Sequence, residues 1–203
     1  MATFVSIANL ALQILGVSTK IEALDQDNPN AREINSCFDS LREELLRQFP
    51  WNFAKTRVVL PALAAQTAWG NFNQFQLPVD CLRFLRPTDR QVDWELEASA
   101  GGAPVLVTKD VGPLQIRYIQ DVTDPSRFDA EFVQMLAARI AQQCAQPITS
   151  STEKQQIADR AFATAQAKAR NANAFERAAD QAIPDDYFVV MGNAGSVNQV
   201  VLG

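Results

Sequence analysis

The sequence predicts an α+β protein in which a helical domain is built from both ends of the chain and a β-rich domain is inserted between them. Helical periodicity fills residues 1–53 and 121–183, whereas residues 54–120 hold short alternating runs and turn formers. We expect a four-helix bundle-like helical domain, an inserted antiparallel β-rich domain and, at residues 184–203, an extended C-terminal arm. No catalytic constellation accompanies this layout, which favours an assembly component over an enzyme.

The first two helices are indicated by their end signals. Thr3 is placed to cap a helix whose apolar residues recur at spacings of three and four, and Gly16 is placed to end it. Asn28 and Pro29 form an N-cap followed by proline, which predicts a second helix that Pro50 stops.

Six short alternating runs in the middle of the chain predict strands. Because parallel pairing needs crossover helices and this stretch has no room for them, we expect antiparallel pairing in a small sheet or sandwich. The runs are residues 55–60, 72–77, 82–86, 94–98, 105–108 and 114–119.

Two more helices are predicted after the strands. Asp124 and Pro125 repeat the cap-plus-proline signal and predict a third helix that ends near Pro147. Ser150 to Glu153 read as an S-x-x-E capping box, which begins a helical pattern reaching Ala182.

The fourth helix has few large apolar residues, because alanine fills most of its inner face. Alanine favours the helix but buries little area, so the face suits either close contact between subunits or a plain helix over a shallow core, and the sequence weighs the two equally. The candidate interface residues here are Ile157, Ala161, Ala165, Ala172 and Phe175.

The C-terminal arm carries an aromatic and aliphatic cluster that a purely disordered tail would lack. We favour an extended arm that joins a neighbour's sheet edge or fills a groove over a disordered end. Its candidate interface residues are Tyr187, Phe188, Val189, Val190 and Met191.

The residues of common active sites and cofactor sites are missing. The chain has no histidine, its three cysteines have no C-x-x-C spacing, and no nucleotide-binding or hydrolase motif occurs. Acidic pairs occur at Glu43 and Glu44, Glu95 and Glu97, and Asp185 and Asp186; the alternation of Asp93, Glu95 and Glu97 along a predicted strand fits a solvated outer face. We therefore predict no catalytic, cofactor-binding or metal-binding residue, and no enzyme.

Charge and terminal patterns indicate the surroundings of the protein. Residues 1–53 carry net charge −3, residues 54–120 carry +1 and residues 121–203 carry −3, so no basic stripe for gripping DNA is present. The first basic residue is Lys20, which argues against a signal peptide, and no run is long enough to span a membrane. We expect folding in a reducing cytoplasm without a membrane partner.

Short motifs occur in a fixed order along most of the chain. They are ANLALQILG at 8–16, FPWNFA at 49–54, WG at 69–70, FQLPVDCLR at 75–83, GPLQIRYI at 112–119, VTDPSRFD at 122–129 and PIT at 147–149. In this order they resemble phage head-to-tail adaptor proteins of the tail tubular protein A type, from short-tailed phages and prophages. The resemblance spans about residues 4–180 and leaves the arm uncovered. Pro50 stands where many relatives have glycine.

The resemblance implies a structural virion protein at the head-tail junction. It implies a ring of twelve subunits that docks below the portal protein, connects it to the tail nozzle protein and forms part of the DNA ejection channel. DNA would pass without specific binding, and tail fibres are a further candidate partner.

Two other functions stay open at the level of sequence. One is a tail-associated glycan hydrolase, because acidic pairs and aromatic residues such as Trp69 and Trp94 can bind and cleave sugars. The other is a monomeric helical interaction module unrelated to virions.

Overall fold

The chain folds as an α+β protein, which confirms the predicted class. The computed structural model describes residues 1–64, 67, 70–85, 93–99 and 101–175. Four α-helices lie in these residues, α1 (Phe4–Ile14), α2 (Pro29–Gln48), α3 (Ala130–Thr149) and α4 (Thr152–Phe175). The six strands are β1 (Lys55–Leu60), β2 (Asn73–Gln76), β3 (Cys81–Leu85), β4 (Trp94–Ala98), β5 (Pro104–Thr108) and β6 (Leu114–Gln120).

Helix α1 is fixed at both ends by local hydrogen bonds. The Thr3 hydroxyl accepts from the Ser6 N–H at 3.1 Å, and the Ser6 hydroxyl accepts from the Thr3 N–H at 2.8 Å, which completes a capping box. At the other end Gly16 adopts φ +70°, and the Val17 N–H donates to the Leu12 carbonyl at 2.9 Å. This Schellman ending turns the chain away from the helix.

Helix α3 is the centre of the helical part, because α1, α2 and α4 all pack against it. Phe132, Met135, Leu136 and Ile140 of α3 are fully buried. A chain of aromatic ring contacts joins the end of α2 to the start of α3, and it contains Phe49, Trp51, Phe53, Phe128 and Phe132. We call the buried residues around α3 the helical core.

The strands form two three-stranded antiparallel sheets, with the orders β1-β6-β3 and β2-β5-β4. Alternate residues of both sheets meet in a second hydrophobic cluster, which we call the inter-sheet core. Phe75 and Leu106 enter it from one sheet, and Ile116 and Tyr118 from the other. Strand β6 also sends Ile119 to the helical core, so one strand joins both clusters.

The predicted start of the third helix was wrong by about five residues. Asp124 and Pro125 open a 3-10 helix, Pro125–Arg127, in which the Asp124 carboxylate accepts from the Ser126 N–H at 2.9 Å. The chain then returns to extended backbone at Phe128 and Asp129, and α3 begins only at Ala130.

The end of α3 and the start of α4 also differ from expectation. Pro147 lies inside α3, which continues to Thr149 because the Thr149 hydroxyl and the Ser150 N–H satisfy the carbonyls of Ala145 and Gln146. Ser150 adopts φ +50° and closes α3, so it does not cap α4. The Ser151 hydroxyl instead accepts from the Lys154 N–H at 3.4 Å.

Candidate interaction surfaces

Helix α4 lies on α3 through small side chains. Ala158 and Ala169 are buried there, while Phe162 and Ala165 pack against the helical core from partly exposed positions. Because these side chains bury little area, apolar contact holds α4 less firmly than the other helices.

Polar contacts supplement this weak apolar seam between α3 and α4. The Gln142 amide donates to the Asp159 carboxylate at 2.9 Å, and the Gln155 amide donates to the Gln142 carbonyl at 3.0 Å. The Arg139 guanidinium lies 5.7 Å from the centre of the Phe162 ring. The hydrogen bonds to Gln142 and Gln155 lower the pKa of Asp159 below its usual range.

The predicted interface residues of α4 do not share one environment. Ala165 contacts the helical core, Ala161 and Ala172 are half-buried, and Ile157 is 38% exposed. Among the side chains of α4 that the structure describes, Ile157 is the exposed large apolar one. The side chain of Phe175 and the arm residues Tyr187, Phe188, Val189, Val190 and Met191 lie outside the described residues.

A buried arginine joins α2 to the segment that follows β6. The Arg42 side chain is 3% exposed, contacts the Asp121 carboxylate and donates to the Val122 carbonyl at 3.0 Å. Asp39 and Glu43 lie 3.5 and 3.6 Å from the same guanidinium. Acidic groups therefore surround this positive charge. The position of Arg42 in the predicted second helix did not indicate that its side chain is buried.

Asp80 organises the joint between β3 and β6. Its carboxylate accepts from the Tyr118 hydroxyl at 3.1 Å and from the Gln120 amide at 2.8 Å, and its carbonyl accepts from the Asp121 N–H at 2.8 Å. Burial, followed by the hydrogen bond to Asp80, raises the pKa of Tyr118 to about 12. Asp80 belongs to the LPVD motif, so this motif has a structural role in the sheet.

Two cysteines that are far apart in the sequence meet in the fold. The Cys37 and Cys144 sulfurs, on α2 and α3, are 3.6 Å apart, and both thiols are free. The hydrogen bond with Cys144 lowers the pKa of Cys37, while that of Cys144 is raised. The spacing of the cysteines in the sequence suggested no pair, because their contact depends on how α2 packs on α3.

The acidic pairs considered for glycan cleavage are dispersed. Glu43 lies beside Arg42, and Glu44 forms an ion pair with Arg139 at 3.2 Å. Glu95 and Glu97 lie on the exposed strand β4. In the described part of the chain, no group of three or more Cys, Asp and Glu side chains could hold a metal ion, and no helix is long and apolar enough to cross a membrane.

Comparisons with known proteins give no family for this chain. No protein-family model matches it, and no curated protein matches it in sequence. The likeness to phage adaptors therefore stays a prediction.

Proposed function

We propose that this protein is a structural head-to-tail adaptor of a short-tailed phage or prophage. Subunits form a ring, of twelve copies by family resemblance, that docks below the portal protein and connects it to the tail nozzle. The helices form one bundle-like domain from both ends of the chain, the strands form an inserted domain, and the C-terminal arm reaches a neighbour or the portal.

The observation that carries the proposal is that residues of the ordered motifs hold the joints between elements. The Asn9 amide binds both backbone groups of Ile21 at 2.9 Å and fixes the loop after α1. The Trp51 indole donates to the Leu45 carbonyl at 2.8 Å, and Asp80 links β3 to β6. The motifs that resemble the adaptor family thus include residues that connect one element to the next. This supports a fold shared with that family, because a chance similarity in sequence would not be expected to fall at these connections.

The environment of α4 supports a role in assembly. This helix has a shallow contact with α3 and leaves Ile157 exposed, so an adjacent subunit can bury area that the monomer does not. Ring closure requires two different faces on each subunit, one for each neighbour.

The charge of the protein suits a channel for DNA. At net charge −5 the chain repels the phosphate backbone on average, so DNA can slide past without being gripped. The protein acts here as a passive conduit and docking collar.

Light scattering with mass measurement, on the protein alone and mixed with the portal protein of the same particle, tests the proposal. We expect a ring-sized species in at least one of the two samples. Ile157→Lys should weaken its formation, whereas Gln156→Lys, at an exposed neighbouring position, should leave it unchanged. A chain that stays monomeric and does not bind portal would favour the monomeric interaction module.

Truncation tests the arm separately. A chain that ends at Pro184 should keep the far-ultraviolet circular dichroism of the full protein but form the ring or bind portal less well. If the truncated protein assembles and binds portal as the full chain does, the arm has no part in either contact.

A further inference from the structure

The β-rich part exposes basic residues on one sheet and acidic residues on the edge strand of the other. The sheets pack on each other through the inter-sheet core, so each has one inner and one outer face. In the sheet β1-β6-β3, Ile116 and Tyr118 of β6 face inward. Arg117, between them in the strand, faces outward because successive strand residues alternate.

The outer face of the first sheet is basic. Arg57 of β1 lies directly opposite Arg117 of β6 in the antiparallel ladder, and Val59 lies opposite Gln115 in the next row on the same face. Arg57 and Gln115 are exposed, and Val59 is 55% exposed. We define the basic face as Arg57, Arg117, Val59 and Gln115. Lys55 and Arg83 flank it where the helices cover Ile119.

This basic face has no counter-charge of its own. In the residues that the structure describes, neither Arg57 nor Arg117 forms an ion pair, and the buried Arg117 Nε has no hydrogen-bond partner. Like charges directly opposite each other on a sheet repel. An acidic surface placed on this face would offset the repulsion between the two guanidinium groups, chiefly through the exposed Arg57.

The edge strand β4 of the second sheet carries the matching acids. On the same side of this sheet Val107 and Val105, which lie opposite Glu95 and Glu97 in the ladder, are buried, so the exposed part of this side is β4 itself. Trp94 of β4 packs on Phe84 in the inter-sheet core at 4.8 Å between ring centres, so Glu95 and Glu97 point to the opposite side. Both are exposed, and neither forms an ion pair among the described residues. They lie about 7 Å apart along the strand, a spacing similar to that of Lys55 and Arg57 on β1. We define Glu95 and Glu97 as the acidic face.

We propose that the basic face of one copy binds the acidic face of the next copy of this chain. The two faces lie on opposite sides of one sandwich, so a single molecule cannot join them. The contact is therefore head-to-tail and leaves each copy with one basic and one acidic face for its two neighbours. This inference rests on the proposed ring and assigns one of its interfaces.

A second copy fits the basic face better than DNA does. The patch has two unpaired arginines beside an exposed valine, whereas a DNA-binding surface carries a longer series of cations. The two exposed carboxylates of β4 match the two arginines in number and are opposite in charge. The net charge of −5 further opposes a polyphosphate partner.

Charge reversal of each face, and mixing of the two variants, tests this contact. The basic face is reversed by Arg57→Glu with Arg117→Glu, and the acidic face by Glu95→Arg with Glu97→Arg. Each variant alone then has two faces of like charge and should raise the concentration needed for self-association about tenfold or more. An equimolar mixture should recover assembly, because acidic copies then alternate with basic ones.

Sedimentation velocity at about 0.05 and 0.5 M salt measures self-association. Because salt screens contacts between opposite charges, association of the wild type should be weaker at the higher salt concentration. Lys20→Glu with Glu22→Lys reverses two exposed charges in the loop after α1 and should assemble like the wild type. Because Arg117 is half-buried, Arg57→Glu alone provides a second test with intact folding, checked by circular dichroism.

Three results on self-association overturn the inference. They are a wild type that is monomeric at low salt, reversed variants that assemble normally, and a mixture that stays monomeric. Binding of duplex DNA that depends on Arg57 but not on Glu95 overturns it in favour of a polyphosphate ligand. Portal binding is measured on the same samples: if it persists while reversal leaves self-association unchanged, this interface fails and the adaptor proposal stands.

Discussion

Arg42 is a single side chain that joins two distant parts of the chain. It extends from α2 to Asp121 and the Val122 carbonyl, just after β6. A buried ion pair adds little compared with a well-packed apolar pair, but loss of one partner leaves the other charge uncompensated. The effect of removing Arg42 should therefore exceed that of removing any exposed ion-pair partner.

We predict that Arg42→Met lowers the free energy of unfolding by about 2 to 3 kcal/mol, less than for a fully buried pair because Asp121 is 25% exposed. Urea denaturation measures the change. The control is Arg32→Met, which removes an ion pair with Asp27 whose side chains are 70% and 95% exposed, and it should change stability by less than about 1 kcal/mol. Equal losses in the two variants would contradict a special role for Arg42.

Tyr118 is predicted to give the protein a stability that depends on pH in the alkaline range. Its folded-state pKa of about 12 exceeds the ordinary value of about 10, so its contribution to the free energy of unfolding is constant below pH 10 and decreases as pH rises toward 12. Tyr118→Phe should remove this decrease.

Tyrosinate absorbance in a Tyr187→Phe background reports on Tyr118 alone, because the chain has two tyrosines. Asp80→Asn should lower the observed pKa, since it removes the negative charge that opposes the phenolate. An unchanged pKa in that variant would show that burial alone sets the shift.

At the level of elements, α4 is held mainly by its fit to α3. Ala158 is fully buried between the two helices, whereas Ala163 is exposed on the same helix. We predict that Ala158→Leu destabilises the protein by about 2 kcal/mol because the larger side chain overpacks the seam. Ala163→Leu should change stability by less than about 0.5 kcal/mol.

Hydrogen exchange locates the effect of Ala158→Leu. The amides of α4 should lose protection first, while those of α3 change less, because α3 keeps its contacts with α1 and α2. Uniform loss of protection across all helices would instead mean that α4 is as firmly integrated as the rest.

Local sequence signals predicted where the helices and strands lie better than they predicted which strands pair. The six strands lie within about one residue of the alternating runs. Alternation reflects one-sided burial in β6, whereas β5 is buried and β4 is exposed along nearly the whole strand. Pairing was not predictable: β6 lies between β1 and β3, which are far from it in the sequence. Ser150 also shows this limit, since its left-handed conformation at the end of α3 prevented the expected cap.

The interface prediction had the same limit. Helical spacing could place Ile157 and Ala165 on α4, but not show that Ala165 contacts the helical core while Ile157 stays exposed. That difference depends on how α4 rests on α3. The opposed charges of Arg57 and Glu95 were hidden as well, because a net charge of +1 over residues 54–120 conceals their separation onto two faces.

For the whole molecule, β6 determines whether the two cores behave as one cooperative unit. Tyr118 enters the inter-sheet core and the next residue, Ile119, enters the helical core. Neither cluster can lose β6 without exposing residues of the other. The two cores should therefore unfold together.

We predict that fluorine-labelled tryptophan resonances of Trp51 in the helical core and Trp94 beside the inter-sheet core disappear at the same urea concentration. Ile119→Ala should lower both midpoints equally, with a loss of about 2 to 4 kcal/mol, because it opens a cavity at the strand that both cores share. Val59→Ala, at an exposed position of β1, should move neither midpoint. If Ile119→Ala shifts the Trp51 midpoint and leaves that of Trp94 in place, the two cores are separate folding units, and β6 connects them without coupling their stability.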